Sequence, residues 1–190
     1  MTQADALRFV LRWEGGWYAG DRPGDPNPTN RGITLRTLQG LGSAGDLDHD
    51  GDVDGDDLQH LTEAQTHAVY VGTYWVPSGC DRIAALAPNL ATVVFDAAVQ
   101  HGPVRAVKLL QRAVYATSLD GMYGRLTEAA IVSTLAKLDD VGICARYLGL
   151  RVQFYRDLIA AKPAKADFEG GWRNRMNDLA KCLGLPPVWA

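Results

Sequence analysis

The chain has 190 residues, 47% of them hydrophobic and 22% charged, with a formal net charge of −3. That length holds one compact core, or a small lobe beside a helical one, and the composition excludes a disordered chain. No stretch approaches the about 18–20 uncharged apolar residues of a membrane span, and the start "MTQADALRFVLRWEGG" lacks the basic-then-apolar order of a secretory signal peptide.

The reading along the chain is almost entirely helical. Thr2 and Asp5 form a capping-box-like start, and Leu7, Val10, Leu11 and Glu14 share one face of a first helix that ends at Gly15-Gly16. Residues 17–33 are rich in Gly, Pro, Asn and Asp, which predicts an irregular loop with room for a short hairpin. A short helix follows from Thr34 to Leu41, then an acidic loop, then a helix in "LTEAQTHAVYVGTYW" capped by Thr62 and Gln65. From residue 88 the pattern is a bundle. "PNLATVVFDAAVQHG" ends at Gly102, and Pro103 opens the next helix at a first helical position. "LDGMYG" reads as a turn, followed by helices over 127–137 and 140–161 and a closing one within 166–184. The best boundary on offer lies near 86–90.

Charge is unevenly placed. Seven of the 22 acidic side chains are aspartates between 46 and 57; without them 19 basic residues face 15 acidic ones. Residues 141–190 hold eight Lys/Arg against four Asp/Glu. A mildly basic body suits an anionic polymer, although solvated helix faces explain the scattered charges equally well. Nucleic acid is not expected as a partner, nor membrane insertion, and a monomer is expected. Cys80, Cys144 and Cys182 are odd in number and far apart, which suits reduced, partly buried thiols.

The acidic loop "DLDHDGDVDGDD", 46–57, matches the twelve-residue calcium loop D-x-[DN]-x-[DN]-G. Asp46, Asp48 and Asp50 take positions 1, 3 and 5, and Gly51 the sharp turn at 6. Asp52 offers its carbonyl at 7, Asp54 acts through water at 9, and Asp57 stands at 12. Sliding the frame by two or four residues loses the glycine, the terminal acid or both. Position 12 is Asp where Glu is usual, and "GLGSAG" upstream is not a full entering helix. Loop and exiting helix therefore resemble the dockerin type of calcium loop. One structural Ca2+ is expected; a solvated acidic loop is the plain alternative.

Glu14 lies within a turn of a helix C-terminus, where the macrodipole is negative, and beside Trp13, Trp17 and Tyr18. Both surroundings disfavour a carboxylate relative to the neutral acid, as suits a general acid near neutral pH. On local physics alone, a surface glutamate or a cap of the next loop competes with that role.

The residues that follow bear on this choice. "EGGWYAGDRPGDPNPTNRGIT", 14–34, resembles the motif of glycoside hydrolase family 108, which runs E-G-G-Y, then D-P, then T-N-x-G-I-T. "GTYW" (72–75), "FDAAVQHGPVRAVKLLQRAV" (95–114), "LDGMYGRLT" (119–127) and "FEGGWRNRMNDL" (168–179) resemble the family's later segments in the same order. Those from 95 onward are similar to its helical peptidoglycan-binding domain.

The resemblance implies a mainly α, lysozyme-like fold with a small irregular or hairpin lobe and a C-terminal helical bundle. We place a catalytic lobe at 1–87 and a peptidoglycan-binding lobe at 88–190. It implies a muramidase of bacterial peptidoglycan of the phage-endolysin or secretion type, made in the cytoplasm and released through a holin-like pore or dedicated secretion. The family's catalytic glutamate falls on Glu14, its following acid on Asp25 or Asp21, and its T-N pair on Thr29-Asn30. "NP" (27–28) stands where the family tends to have Gly-Gly, and the loop is about one residue longer. Such cleavage needs an acid for the leaving oxygen and a carboxylate or positioned water on the opposite face of the sugar. Glu14 is the acid; Asp25 stabilises the oxocarbenium-like state or activates water, and Thr29 holds that water. Tyr18, Asn30, Tyr74, Trp75 and Trp172 are the candidate sugar-contacting residues, with core packing as the alternative for the large aromatics. Two other readings stay open: a lytic transglycosylase on the same site, and a wall-binding protein in which Glu14 is inert. A dockerin-like interaction protein would need two tandem loops, and the sequence has one.

Overall fold

A computed structural model describes residues 1–20 and 27–190. Its mainly α architecture is as expected, with ten α-helices and one two-stranded sheet among the described residues. None of these helices is long and apolar enough to cross a membrane. The chain divides into two compact units, Leu7–Thr73 and Met1–Ala6 with Tyr74–Ala190. That division lies upstream of residue 87, and it passes through the first helix and through the turn after the fourth.

The smaller unit contains most of α1 (Gln3–Trp13), the hairpin β1 (Thr29–Asn30) and β2 (Ile33–Thr34), α2 (Leu35–Gln39), α3 (Gly55–Gln59) and α4 (Glu63–Tyr70). Its core is Phe9, Val10, Ile33, Leu38, Leu58, Leu61, Val69 and Tyr70. Local chemistry sets the ends of these elements. Thr34 caps α2 by accepting from Thr37 N, and Thr62 with Gln65 forms the capping box of α4. From Val71 to Trp75 the helix widens to a π turn, where the sequence predicts a regular continuation.

The larger unit is built around α6 (Pro88–His101), whose residues from Leu90 to Ala98 are all buried. A helix apolar on every side must be enclosed, and α5 (Cys80–Leu86), α7 (Pro103–Ala113) and α9 (Asp140–Ala161) pack against it. Pro88 opens α6, and the Asp140 carboxylate accepts from Asn89 N and Leu90 N, both at 2.8 Å. Gly102, with φ of 81°, ends it where the sequence places the stop. α8 (Arg125–Leu135) and α10 (Glu169–Cys182) complete the unit. The turn before α8 folds around buried Gln111, which donates to Asp120 and accepts from Gly121 N.

One ion cluster lies within this core. The fully buried Asp96 accepts from Arg151 at 2.5 Å and from Arg175 Nε at 2.9 Å, tying α6 to α9 and α10. The Tyr155 hydroxyl bridges Arg151 and His101. Burial pushes the Asp96 carboxyl up, but the two guanidinium charges outweigh it and hold it below the usual range. Burial, followed by the charge of Arg151, brings His101 down to about 3, so its ring is neutral.

Asp96→Ala leaves two arginines buried without their counter-ion and is expected to cost about 3–5 kcal/mol. Thermal and urea unfolding would measure the loss. Because the folded carboxyl is held low, the deficit is full at neutral pH and shrinks only below the unfolded value of about 3.9.

Candidate active site

Glu14 follows directly on α1, its N–H still bonded to Val10 O at 3.2 Å, and its side chain is half-buried. The hairpin comes up against it. Thr29 pairs with Thr34 and Asn30 with Ile33, and Tyr18 adds a bridge on the other side of Thr29. The two residues at the tip, Arg31 and Gly32, have φ of 50° and 75°. Positive φ at both central positions is the signature of a type I′ turn, whose twist matches the flanking strands.

Gly32 is required twice over. Its φ is one that L side chains resist, and a Cβ there would lie 2.6 Å from Glu14 Oε2, 2.8 Å from Glu14 Cγ and 2.6 Å from the Tyr70 hydroxyl. Arg31 has no such exemption; its left-handed backbone costs about 1–2 kcal/mol. Tyr70, buried at the end of α4, donates to Arg31 O at 2.8 Å and holds the turn in that shape. Glu14, Gly32 and Tyr70 thus meet at one point. The sequence motif contains the first two, but nothing local to "QTHAVY" marks Tyr70.

Successive strand residues face opposite ways, so Thr29 and Asn30 have different tasks. Asn30 is buried and its amide donates to Leu58 O at 2.8 Å and Gln59 O at 3.1 Å. These bonds anchor the hairpin to α3. Half-buried Thr29 is on the other face. Asp25 and its alternative Asp21 lie outside the described residues.

The remaining aromatic candidates separate. Tyr18 is half-buried in the smaller unit and Tyr74 half-buried in the larger one. Trp75 is 2% exposed, donates to Asp81 and meets Phe95 edge-on at 5.3 Å. Trp172 stacks with Tyr155 at 4.6 Å and with Phe168 at 5.9 Å. Both tryptophans pack against aromatic neighbours within the larger unit, where the large apolar surface of an indole contributes to packing.

The acidic loop turns sharply within its first half. His49 and Gly51 have φ of 66° and 107°, and Gly51 N donates to Asp46 Oδ2 at 3.1 Å. Ligand atoms of Asp46, Asp48 and Asp50 gather within 4.8 Å of one another, as do those of Asp52, Asp54 and Asp57. Asp46 Oδ1 is buried with no hydrogen-bond partner, and an orphaned buried carboxylate oxygen fits a cation. The charges of Asp50 and Asp54 push the Asp52 carboxyl up. Asp57 is buried, which opposes its charge, but backbone N–H groups of Asp54, Leu47 and Asp48 outweigh burial and hold it low. The loop ends in α3, the helix that Asn30 grips. Loop, hairpin and glutamate are therefore mechanically connected.

Residues 7–102 match the family described as glycosyl hydrolase 108. The chain belongs to that family. Residues 105–177 match the one described as "Predicted Peptidoglycan domain". The chain is also similar to the structure of Brucella abortus SagA, with 28% identity over 95% of this chain and 92% of that one and a TM-score of 0.73. No curated protein matches it. This family 108 member is a glycoside hydrolase acting on peptidoglycan, the class that its glutamate motif implies.

Gly32→Ala is expected to displace the turn from Glu14 and to lower wall-degrading activity about a hundredfold. The accompanying loss of stability is on the order of 1–3 kcal/mol. Reducing-end release and a melting curve on the same preparation check both; full activity would show that the turn need not press on Glu14.

Proposed function

We propose that the chain is a muramidase that cuts the β-1,4 bond between N-acetylmuramic acid and N-acetylglucosamine, with Glu14 as general acid. The observation that carries this reading is the packing of the Glu14 carboxylate against the glycine of a type I′ turn. A general acid must be held at one place relative to the glycosidic oxygen; the helix end carries Glu14, the turn glycine lies against its carboxylate, and Tyr70 holds that turn. Thr29, held by backbone bonds to Tyr18 on one side and by the hairpin on the other, orients the attacking water. Asp25, in the same motif, stabilises the oxocarbenium-like state or activates that water. Tyr18 lies beside Thr29 and borders the sugar.

The acidic loop holds one structural calcium ion in this reading, with Asp46, Asp48, Asp50, Asp52, Asp54 and Asp57 as its donors. The ion neutralises a crowd of carboxylates, and the residues contribute its cage; no step of the reaction passes through it. Its effect on catalysis runs through Asn30, whose amide joins the end of the loop to the hairpin.

Glu14→Gln is expected to lower fragment release from purified peptidoglycan by about 10²–10⁴-fold while leaving the protein folded. Mass spectrometry of the wild-type products should find reducing N-acetylmuramic acid ends. Anhydro ends would instead indicate a transglycosylase, and equal release by the variant would move catalysis away from Glu14.

Stripping calcium with EDTA is expected to lower the melting temperature and the activity together, and calcium add-back to restore both. An unchanged melting curve after metal analysis has verified removal would eliminate the structural ion.

A further inference from the structure

A cleft of about 540 Å³ runs between α7 and α9 and is rimmed by Leu119. Its size is within the about 300–1,000 Å³ of small-ligand sites. Arg105, Lys108 and Arg112 follow one another at helical spacing along the α7 wall, so three cations face the same space. The only carboxylate in the lining is Asp157, which accepts from Gln153 at 2.7 Å. Among the described residues, no ion pair takes up any of the three cations. The apolar floor includes Leu109, Leu150 and Leu158.

Two of the three cations are positioned by neighbours. The Lys108 stem lies beside Gly121, where a Cβ would be 3.2 Å from its Cε, and Gly121 is itself held by the buried Gln111. The Arg105 guanidinium sits 5.0 Å over the Phe154 ring. Phe154 is the one aromatic in the lining, and that guanidinium covers it, so the cleft has no open ring for a sugar to stack on. What it has is a row of cations over small apolar hollows.

We infer that this cleft binds the acidic peptide stem of peptidoglycan, the cations taking its free carboxylates and the apolar floor its alanine methyl groups. The inference rests on peptidoglycan being the polymer on which the chain acts. All the lining residues, 105–158, fall within the segment matched by the peptidoglycan domain. The glycan itself is the business of Glu14 in the other unit; the cleft reads the side chains attached to it. Charge complementarity makes the contact salt-dependent.

Titration calorimetry of the full chain would test this with three probes: a disaccharide-tetrapeptide, the same disaccharide without its peptide, and poly(glycerol phosphate). The tetrapeptide form is expected to bind, and the peptide-free form at least about tenfold more weakly. Lys108→Glu with Arg112→Glu is expected to weaken tetrapeptide binding about tenfold or more, and Asp157→Asn to tighten it about two- to threefold. A misfolded variant cannot bind more tightly, so the second change guards the first. Equal binding of the tetrapeptide by wild type and the double variant would overturn the proposal. So would no tetrapeptide binding by the wild type, or tighter binding of the phosphate polymer. Fragment release is measured alongside: cleavage without the expected binding pattern defeats the cleft alone, and the binding pattern without cleavage defeats the muramidase reading alone.

Discussion

The smaller unit depends on the absence of one atom group. Because Gly32 has no Cβ, the hairpin tip reaches the Glu14 carboxylate and the Tyr70 hydroxyl at a separation that no other residue permits. A left-handed Arg31 beside it is tolerated because Tyr70 bonds the Arg31 carbonyl. Strained backbone persists where the surroundings over-determine it, and here three elements do so: the end of α1, the hairpin and the end of α4.

Outward from that point the contacts pass to Asn30 and then to the acidic loop. Asn30 spends its amide on the carbonyls of Leu58 and Gln59, at the end of the helix that Asp54 and Asp57 start. A loop of seven aspartates is costly to fold without a cation, since each charge raises the free energy of the next. Asn30 places the end of that loop one hydrogen-bonded step from the hairpin that lies against Glu14. In the larger unit the comparable fixed point is Asp96. A carboxylate there, satisfied by two arginines, sets the relation of α6 to α9 and α10. Buried ion clusters add little net stability over apolar packing, but their geometry tolerates few alternatives.

Each unit carries its own charged feature. The smaller one contains a single carboxylate poised at a turn, and the larger one a rigid bundle with a cationic cleft.

The sequence by itself determined what depends on near neighbours. Helix starts at Thr2, Thr34 and Thr62, the stop at Gly102 and the sharp turn at Gly51 all follow from dihedral and hydrogen-bond rules that act over a few residues. The glutamate motif likewise identified the family and its class of chemistry. Only the tertiary structure decided which side chains meet. Asn30 reads as a sugar contact beside Thr29 but turns inward to α3. Trp75 and Trp172 read as platforms but are used in packing, and Tyr70 carries no local mark although it locks the turn. The cleft is assembled from two helices whose cations and apolar residues read separately as ordinary amphipathic faces. Such contacts join residues far apart in the chain, where no periodicity or capping rule reaches, and they are fixed by shape and by the need to satisfy buried polar groups.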